Sequence, residues 1–170
     1  MNIVTTRRDL LRGIGGAAAI GASGGCCSWW KRSGRIRLAA VGIMGKGFSD
    51  WMTMLRSGMM EMAAFCDADA AQRSRVLKSK AVKDMGLCDL LANVPFYTDY
   101  RKMLDDQSRL RIDAMTVSTP DHMHAAQAVR AMKMGIHCYV QKPLVRTFWE
   151  LRRFQEAAME NGVEIGRAHV

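Results

Sequence analysis

Three short stretches carry residue types that can hold or transform a small molecule: Gly42-Ile43-Met44-Gly45-Lys46-Gly47, Ser118-Thr119-Pro120-Asp121-His122-Met123-His124, and Gln141-Lys142-Pro143. The first is a G-x-x-G-x-G loop between the apolar run Ile36–Val41 and the amphipathic run from Phe48 to Ser57. Glycines let a backbone turn sharply and approach a ligand closely, and the positive end of the helix that follows attracts a phosphate. Three glycines alone also fit an ordinary tight turn. About 20 residues further on, however, the apolar run Met62–Cys66 ends in Asp67, a carboxylate suited to accept hydrogen bonds from an adenosine ribose. Strand, glycine loop, helix, strand and acid make up one half of a dinucleotide-binding unit.

The elements that must position these stretches follow from the apolar pattern. Ile36–Val41 is a short run without Pro and reads as a buried parallel strand. Ala70–Lys83 is expected to be a helix with a solvated basic face, Asp84–Pro95 is irregular, and Phe96–Thr98 is a short third strand. Thr98 or Asp99 caps the turn Tyr100–Leu104. Ile112–Ser118 reads as a strand stopped by Pro120, and Asp121 can cap a helix over Ala125–Met134 that ends at Gly135. Ile136–Val140 is another strand, Thr147–Asn161 a helix stopped by Gly162, and Val163 begins a sixth strand. The fold class is therefore α/β, a Rossmann-like doubly wound parallel sheet. The unusual residues fall at the carboxyl ends of at least four strands, where an open parallel sheet binds ligands, so they should converge.

Composition narrows the partners. The 170 residues carry a formal charge of +9, but residues 1–35 hold six basic side chains against Asp9 alone, which leaves +4 for the rest. Without a concentrated Lys/Arg stripe, nucleic acid is not an expected partner. No run of about 18 uninterrupted apolar residues marks a membrane span. The five cysteines, Cys26, Cys27, Cys66, Cys88 and Cys138, form no C-x-x-C, so neither a metal site nor a disulfide framework is indicated. Cys66 and Cys138 sit in apolar runs and read as small buried hydrophobes.

Residues 1–34 read as a leader and linker outside the fold. Arg7-Arg8 ahead of the mild Ala/Gly/Ile run Gly13–Gly25 resembles a twin-arginine export signal, with a chance Arg pair as the alternative. That signal implies the Tat translocon as a partner and a periplasmic location. Ser23-Gly24-Gly25-Cys26 approaches a lipoprotein cleavage box, but Ser23 stands where a Leu-like residue belongs, so lipidation of Cys26 is not the expected outcome.

Over residues 35–163 the chain resembles the N-terminal half of the Gfo/Idh/MocA oxidoreductases, in particular their exported bacterial members. The resemblance rests on AAVGIMGKG at Ala39–Gly47, CDAD at Cys66–Asp69, TDYRKML at Thr98–Leu104, and the segment Val117–Leu144. It implies a Rossmann domain binding NAD or NADP, with NAD favoured by Asp67, and a second α/β domain that binds sugars or cyclitols over an open sheet. The cofactor contacts it implies are Gly42, Met44, Gly45, Lys46 and Gly47 of the loop, Asp67, Ser118, Thr119, Pro120 and His124, and Gln141, Lys142 and Pro143. For His122 and His124, helix capping or packing is an equal alternative to substrate contact. The family's usual E-K-P stands here as Gln141-Lys142-Pro143, and Lys142 maps onto its conserved lysine, which would polarise the reacting oxygen and relay a proton.

The chain stops at Val170, where the resemblance implies roughly as much again. Ile165–Val170 can be encoded by ATC GGA AGA GCA CAC GTC, a widely used sequencing-adapter sequence. Residues 164–170 are accordingly expected to be a non-native tail, and the 170-residue chain to bind nucleotide without turning over substrate, any homo-oligomer forming through the second domain. Three activities fit: hydride transfer at a sugar or cyclitol carbon, a glycosidase of the same family that uses NAD transiently, or a non-catalytic exported binding protein.

Overall fold

The computed structural model describes residues 34–167; the leader, its arginine pair, Cys26 and Ala168–Val170 lie outside the described residues. Six parallel strands form one sheet in the order β3-β2-β1-β4-β5-β6. They are β1 (Ile36–Val41), β2 (Met60–Cys66), β3 (Phe96–Tyr97), β4 (Ala114–Val117), β5 (His137–Val140) and β6 (Ile165–Arg167). The chain leaves β1 in both directions of the sheet, so the order reverses between β1 and β4. That junction is where a doubly wound sheet opens a crevice for a ligand.

The period-two alternation of β1 explains how the sheet is covered. Leu38 and Ala40 pack into one apolar cluster with Trp51, Met62, Phe65, Val76 and Leu91, whereas Ala39 and Val41 pack into the other with Met103, Met115, Met132, Ile136 and Phe154. The first cluster lies under α1 (Lys46–Arg56), α2 (Ala71–Lys78), α3 (Lys80–Asp84) and α4 (Cys88–Ala92). The second lies under α5 (Tyr100–Asp105), α6 (Gln107–Leu110), α7 (His124–Met132) and α8 (Phe148–Asn161). Both faces of β1 are thus dry, as a parallel strand requires. Among the described residues no helix is long and apolar enough to cross a membrane.

Several boundaries differ from the sequence expectation, each for a local reason. Helix α1 starts at Lys46 rather than Phe48, because Gly45 takes φ 60° and turns the chain directly into the helix. The expected helix Ala70–Lys83 is two helices, since Ser79 is extended and its hydroxyl accepts the Val82 N–H at 3.4 Å, capping α3. The stretch 84–95 contains the short helix α4. Asp121 starts a single 3-10 turn over Asp121–Met123 ahead of α7, which carries no side-chain cap. Thr147 and Glu150 form a reciprocal capping box on α8. The sixth strand begins at Ile165 rather than Val163, and Ile165, Gly166 and Arg167 stand opposite Cys138, Tyr139 and Val140.

Candidate functional site

Backbone hydrogen bonds carry the ladder past the strand ends and fix the loops that matter. Gly42 N–H donates to Cys66 O at 2.9 Å, Ser118 N–H to Val41 O at 2.9 Å, Gln141 N–H to Val117 O at 2.9 Å, and Asp67 N–H to Tyr97 O at 3.0 Å. The glycine loop, Asp67, Ser118 and Gln141 therefore share one edge of the sheet. Along that edge, over the ends of β1 to β4, opens a cleft of about 610 Å³ lined by Gly42, Met44, Asp67, Ser118, Thr119 and Pro120 together with Gln72, Asp99, Arg101 and Gln127. A second groove of about 790 Å³ lies between α7 and α8, away from the strand ends.

The glycine loop is shaped by contact on one side and space on the other. A Cβ at Gly42 would lie 2.6 Å from Ser118 O, and one at Gly47 would collide with Gly42 O. Gly45, by contrast, has nothing within 4 Å of where its Cβ would stand. The loop is also tied down at its middle: Ile43 N–H donates to Asp67 Oδ2 at 3.0 Å, and Trp51 Nε1–H donates to Ile43 O at 3.0 Å. Helix α1 begins immediately after Gly45 with no side-chain cap and no acid in its first turn. Its first N–H groups and positive dipole end are thus available to an anion, which is the fit a pyrophosphate requires.

At the other end of the cleft, Asp67 accepts the Asp69 N–H through Oδ1 at 3.1 Å, so each of its oxygens already orients the backbone. Arg101 is clamped by Asp99, with Nε 3.0 Å from Oδ1 and Nη2 2.7 Å from Oδ2. Hydrogen bonds from the Arg101 side chain and backbone hold the Asp99 carboxyl down to about 2. Burial, aided by Asp67 and Asp99, pushes the Cys66 thiol up to about 12, and burial does the same to Cys138, so neither is a thiolate nucleophile near neutrality.

The structure separates the sequence-predicted residues into those on the cleft surface and those behind it. Gly42, Met44, Asp67, Ser118, Thr119 and Pro120 line the cleft. His124 does not: it is 1% exposed, with Nδ1 2.8 Å from Pro143 O and Nε2 2.9 Å from Thr119 O. It ties the β4 loop to the β5 loop, which answers the packing alternative. His122 is exposed beside Asp121. Gln141 is buried, while Lys142 is exposed on the loop that follows, joined to Pro143 by a cis peptide bond.

Two residues were not anticipated. Asp50, on the buried side of α1, is 6% exposed and takes hydrogen bonds from Ser118 Oγ at 3.0 Å and Gln141 Nε2 at 2.6 Å, with Lys46 Nζ at 2.9 Å. The bond to Asp50 pushes the Lys46 ammonium pKa up. Gln127, 4% exposed, accepts from Thr119 Oγ1 at 2.7 Å and fixes the β4 loop from α7. The only sequence signal for Asp50 was an acid on the apolar stripe of an amphipathic helix.

With this geometry in place, comparison with known proteins decides the family. The model of the Gfo/Idh/MocA oxidoreductase family, NAD-binding Rossmann fold, matches residues 36–169. The chain belongs to this family. As a Gfo/Idh/MocA member it is 30% identical, over 95% of its length, to a glycosyl hydrolase family 109 protein of Solibacter usitatus, and covers 39% of that protein. It is 28% identical to levoglucosan dehydrogenase of Pseudarthrobacter phenanthrenivorans, over 72% of the chain and 31% of that enzyme. The WlbA dehydrogenase of Bordetella pertussis, solved with NADH and UDP-GlcNAcA, shares the fold at TM-score 0.58 and 20% identity, covering 79% of this chain and 37% of that one. The chain thus spans less than two fifths of the length of each.

Two outcomes follow from the site's geometry. Gly47→Ala should destabilise the fold by roughly 2–4 kcal/mol in urea denaturation, because the added methyl meets backbone that cannot move away. Gly45→Ala, whose methyl enters open space but whose φ of 60° and ψ of −125° an L residue rarely adopts, should cost about 1–3 kcal/mol through backbone strain and act mainly on anion binding; nucleotide binding left intact in Gly45→Ala would contradict this reading. For Asp99 the folded carboxyl lies below its ordinary 3.8, so its contribution is complete above that value and disappears as the pH falls to about 2. In acid titrations followed by circular dichroism, the gap between wild type and Asp99→Asn should be constant near neutrality and close over that window.

Proposed function

We propose that this chain is the nucleotide-holding part of an exported NAD-dependent oxidoreductase that acts on a hydroxyl or carbonyl carbon of a sugar or cyclitol. The observation that carries the reading is the uncapped start of α1 behind Gly45, at the end of a glycine loop whose Gly42 and Met44 line a cleft that also takes in Asp67. Main-chain N–H groups of Gly45–Gly47 would hold the pyrophosphate, Asp67 the adenosine ribose, and Ser118, Thr119 and Pro120 the wall beside the nicotinamide half. NAD supplies the hydride acceptor or donor. Asp67 favours NAD over NADP, because a carboxylate repels a 2′-phosphate.

Lys142 is the residue assigned to proton transfer. Its ammonium stands exposed beyond the β5 end, on a loop pinned by Gln141 to Asp50 and by Pro143 O to His124. In that position the ammonium would donate a proton to the reacting oxygen as a carbonyl carbon is reduced, and in the reverse direction the neutral amine would accept the hydroxyl proton as the carbon is oxidised. The sugar class is supported by the names of the relatives, a glycosyl hydrolase, levoglucosan dehydrogenase and a dehydrogenase solved with UDP-GlcNAcA.

The match to a glycosyl hydrolase family 109 protein supports a second reading, net hydrolysis with the cofactor returned to its starting state. Release of free sugar without accumulating NADH would separate it from simple oxidation. Export is supported by Arg7-Arg8. Replacing both by Lys should strand a reporter fused behind residues 1–34 in the cytoplasm, and unchanged secretion would end that proposal.

Titration of the chain with NADH, read by dihydronicotinamide fluorescence, should saturate and be competed by NAD more strongly than by NADP. In a preparation that oxidises sugar, Lys142→Met should lower turnover by about 10²–10⁴-fold while NADH affinity stays within about twofold. No saturable NADH binding would refute the nucleotide assignment, and full turnover without Lys142 would refute its role.

A further inference from the structure

A buried carboxylate is costly unless donors surround it. Asp50 is surrounded by donors from its own helix and from two strand-end loops: Lys46 at the start of α1 reaches Oδ1, while Ser118 from the β4 end and Gln141 from the β5 end both reach Oδ2. Of the three donors, Ser118 lines the cleft. Gln141 is 7% exposed, and its amide is divided between two tasks, Nε2–H to Asp50 at 2.6 Å and Oε1 accepting the Lys142 N–H at 3.4 Å. An ionised carboxylate accepts and cannot donate, so position 141 must present a donor to Asp50.

We propose that Asp50 is a positioning residue for the nucleotide cleft, holding the ends of β4 and β5 against the start of α1 through Ser118 and Gln141, and that Asp50 and Gln141 form an acid–amide pair that functions only as a pair. The pair accounts for Gln141 standing where E-K-P has Glu: a second carboxylate at 141 would lie within hydrogen-bonding distance of the first. The groups that face Asp50 are Lys46 on its own helix, Ser118 on the β4 loop, and Gln141 and Tyr139 on β5 and its loop. Of these only Lys46 and Tyr139 titrate, and burial and Asp50 push the Tyr139 hydroxyl pKa up, away from neutrality. An acid introduced at 141 would therefore be the group that changes charge between mildly acidic and neutral pH.

The inference rests on the NAD reading of the cleft, and its test separates the two. Gln141→Glu, Asp50→Asn and the double exchange are compared with wild type by thermal unfolding without nucleotide, at about pH 5 and about pH 8. Gln141→Glu should match wild type at the lower pH, where the carboxyls share a proton, and melt roughly 5 °C lower at the higher pH. The double exchange, which restores one acid and one amide, should recover most of that loss and remove its pH dependence. NADH titration at a temperature where every variant is folded supplies the readout that simple stability would not move. Gln141→Glu should bind about tenfold more weakly at the higher pH, and the double exchange should return to within about twofold of wild type. A pH-independent Gln141→Glu, or a double exchange no better than the worse single one, overturns the pair. Restored melting without restored NADH affinity overturns the positioning role. If wild type binds no NADH, the nucleotide reading fails, and the melting cycle still decides whether the pair exists.

Discussion

The structure depends on how closely main chain approaches main chain where β1 and β4 end. Gly42 and Gly47 lie against each other and against Ser118 with no room for a side chain, and this contact sets how near the start of α1 stands to the sheet. Each extra methyl there would lift the helix away from the strands. The open space in front of Gly45 exists because the loop is pressed so tightly behind it. Apolar packing on both faces, with Trp51, Phe65 and Phe154 fully buried, holds that arrangement rigid.

Around this contact the protein places polar groups that a minimal core would avoid. Asp50, Gln141, Gln127 and His124 are all nearly inaccessible, and each joins loops rather than neighbours within one element. Their bonds add little net stability, since each replaces bonds to water, but leaving any one partner unmatched would be expensive. Such networks favour one arrangement of the loops over many nearly equal ones.

Much of the framework was readable in the sequence because its signals are local. Glycine spacing, the apolar runs, Asp67 at a strand end and Gly162 as a helix stop each act within a few residues, and the structure places them as expected. Ser79 was missed because Ala70–Lys83 has good helix formers throughout and no Gly or Pro to announce the break. Asp50 was missed for another reason: Lys46 and Asp50 at helical spacing look like any solvent-exposed ion pair, and only the tertiary fold turns that pair under the strand ends. His124 could be assigned to packing only once Thr119 O and Pro143 O were seen on either side of its ring.

The double duty of Asp67 limits how this lineage can change its cofactor. Its oxygens face the cleft and at the same time hold the N–H groups of Ile43 and Asp69. Replacing it by a side chain without an acceptor oxygen to admit a phosphorylated ribose would also release the glycine loop from its anchor. A drift from one dinucleotide to the other through this position therefore has to lose the charge while keeping an acceptor for Ile43, which narrows the replacements open to it.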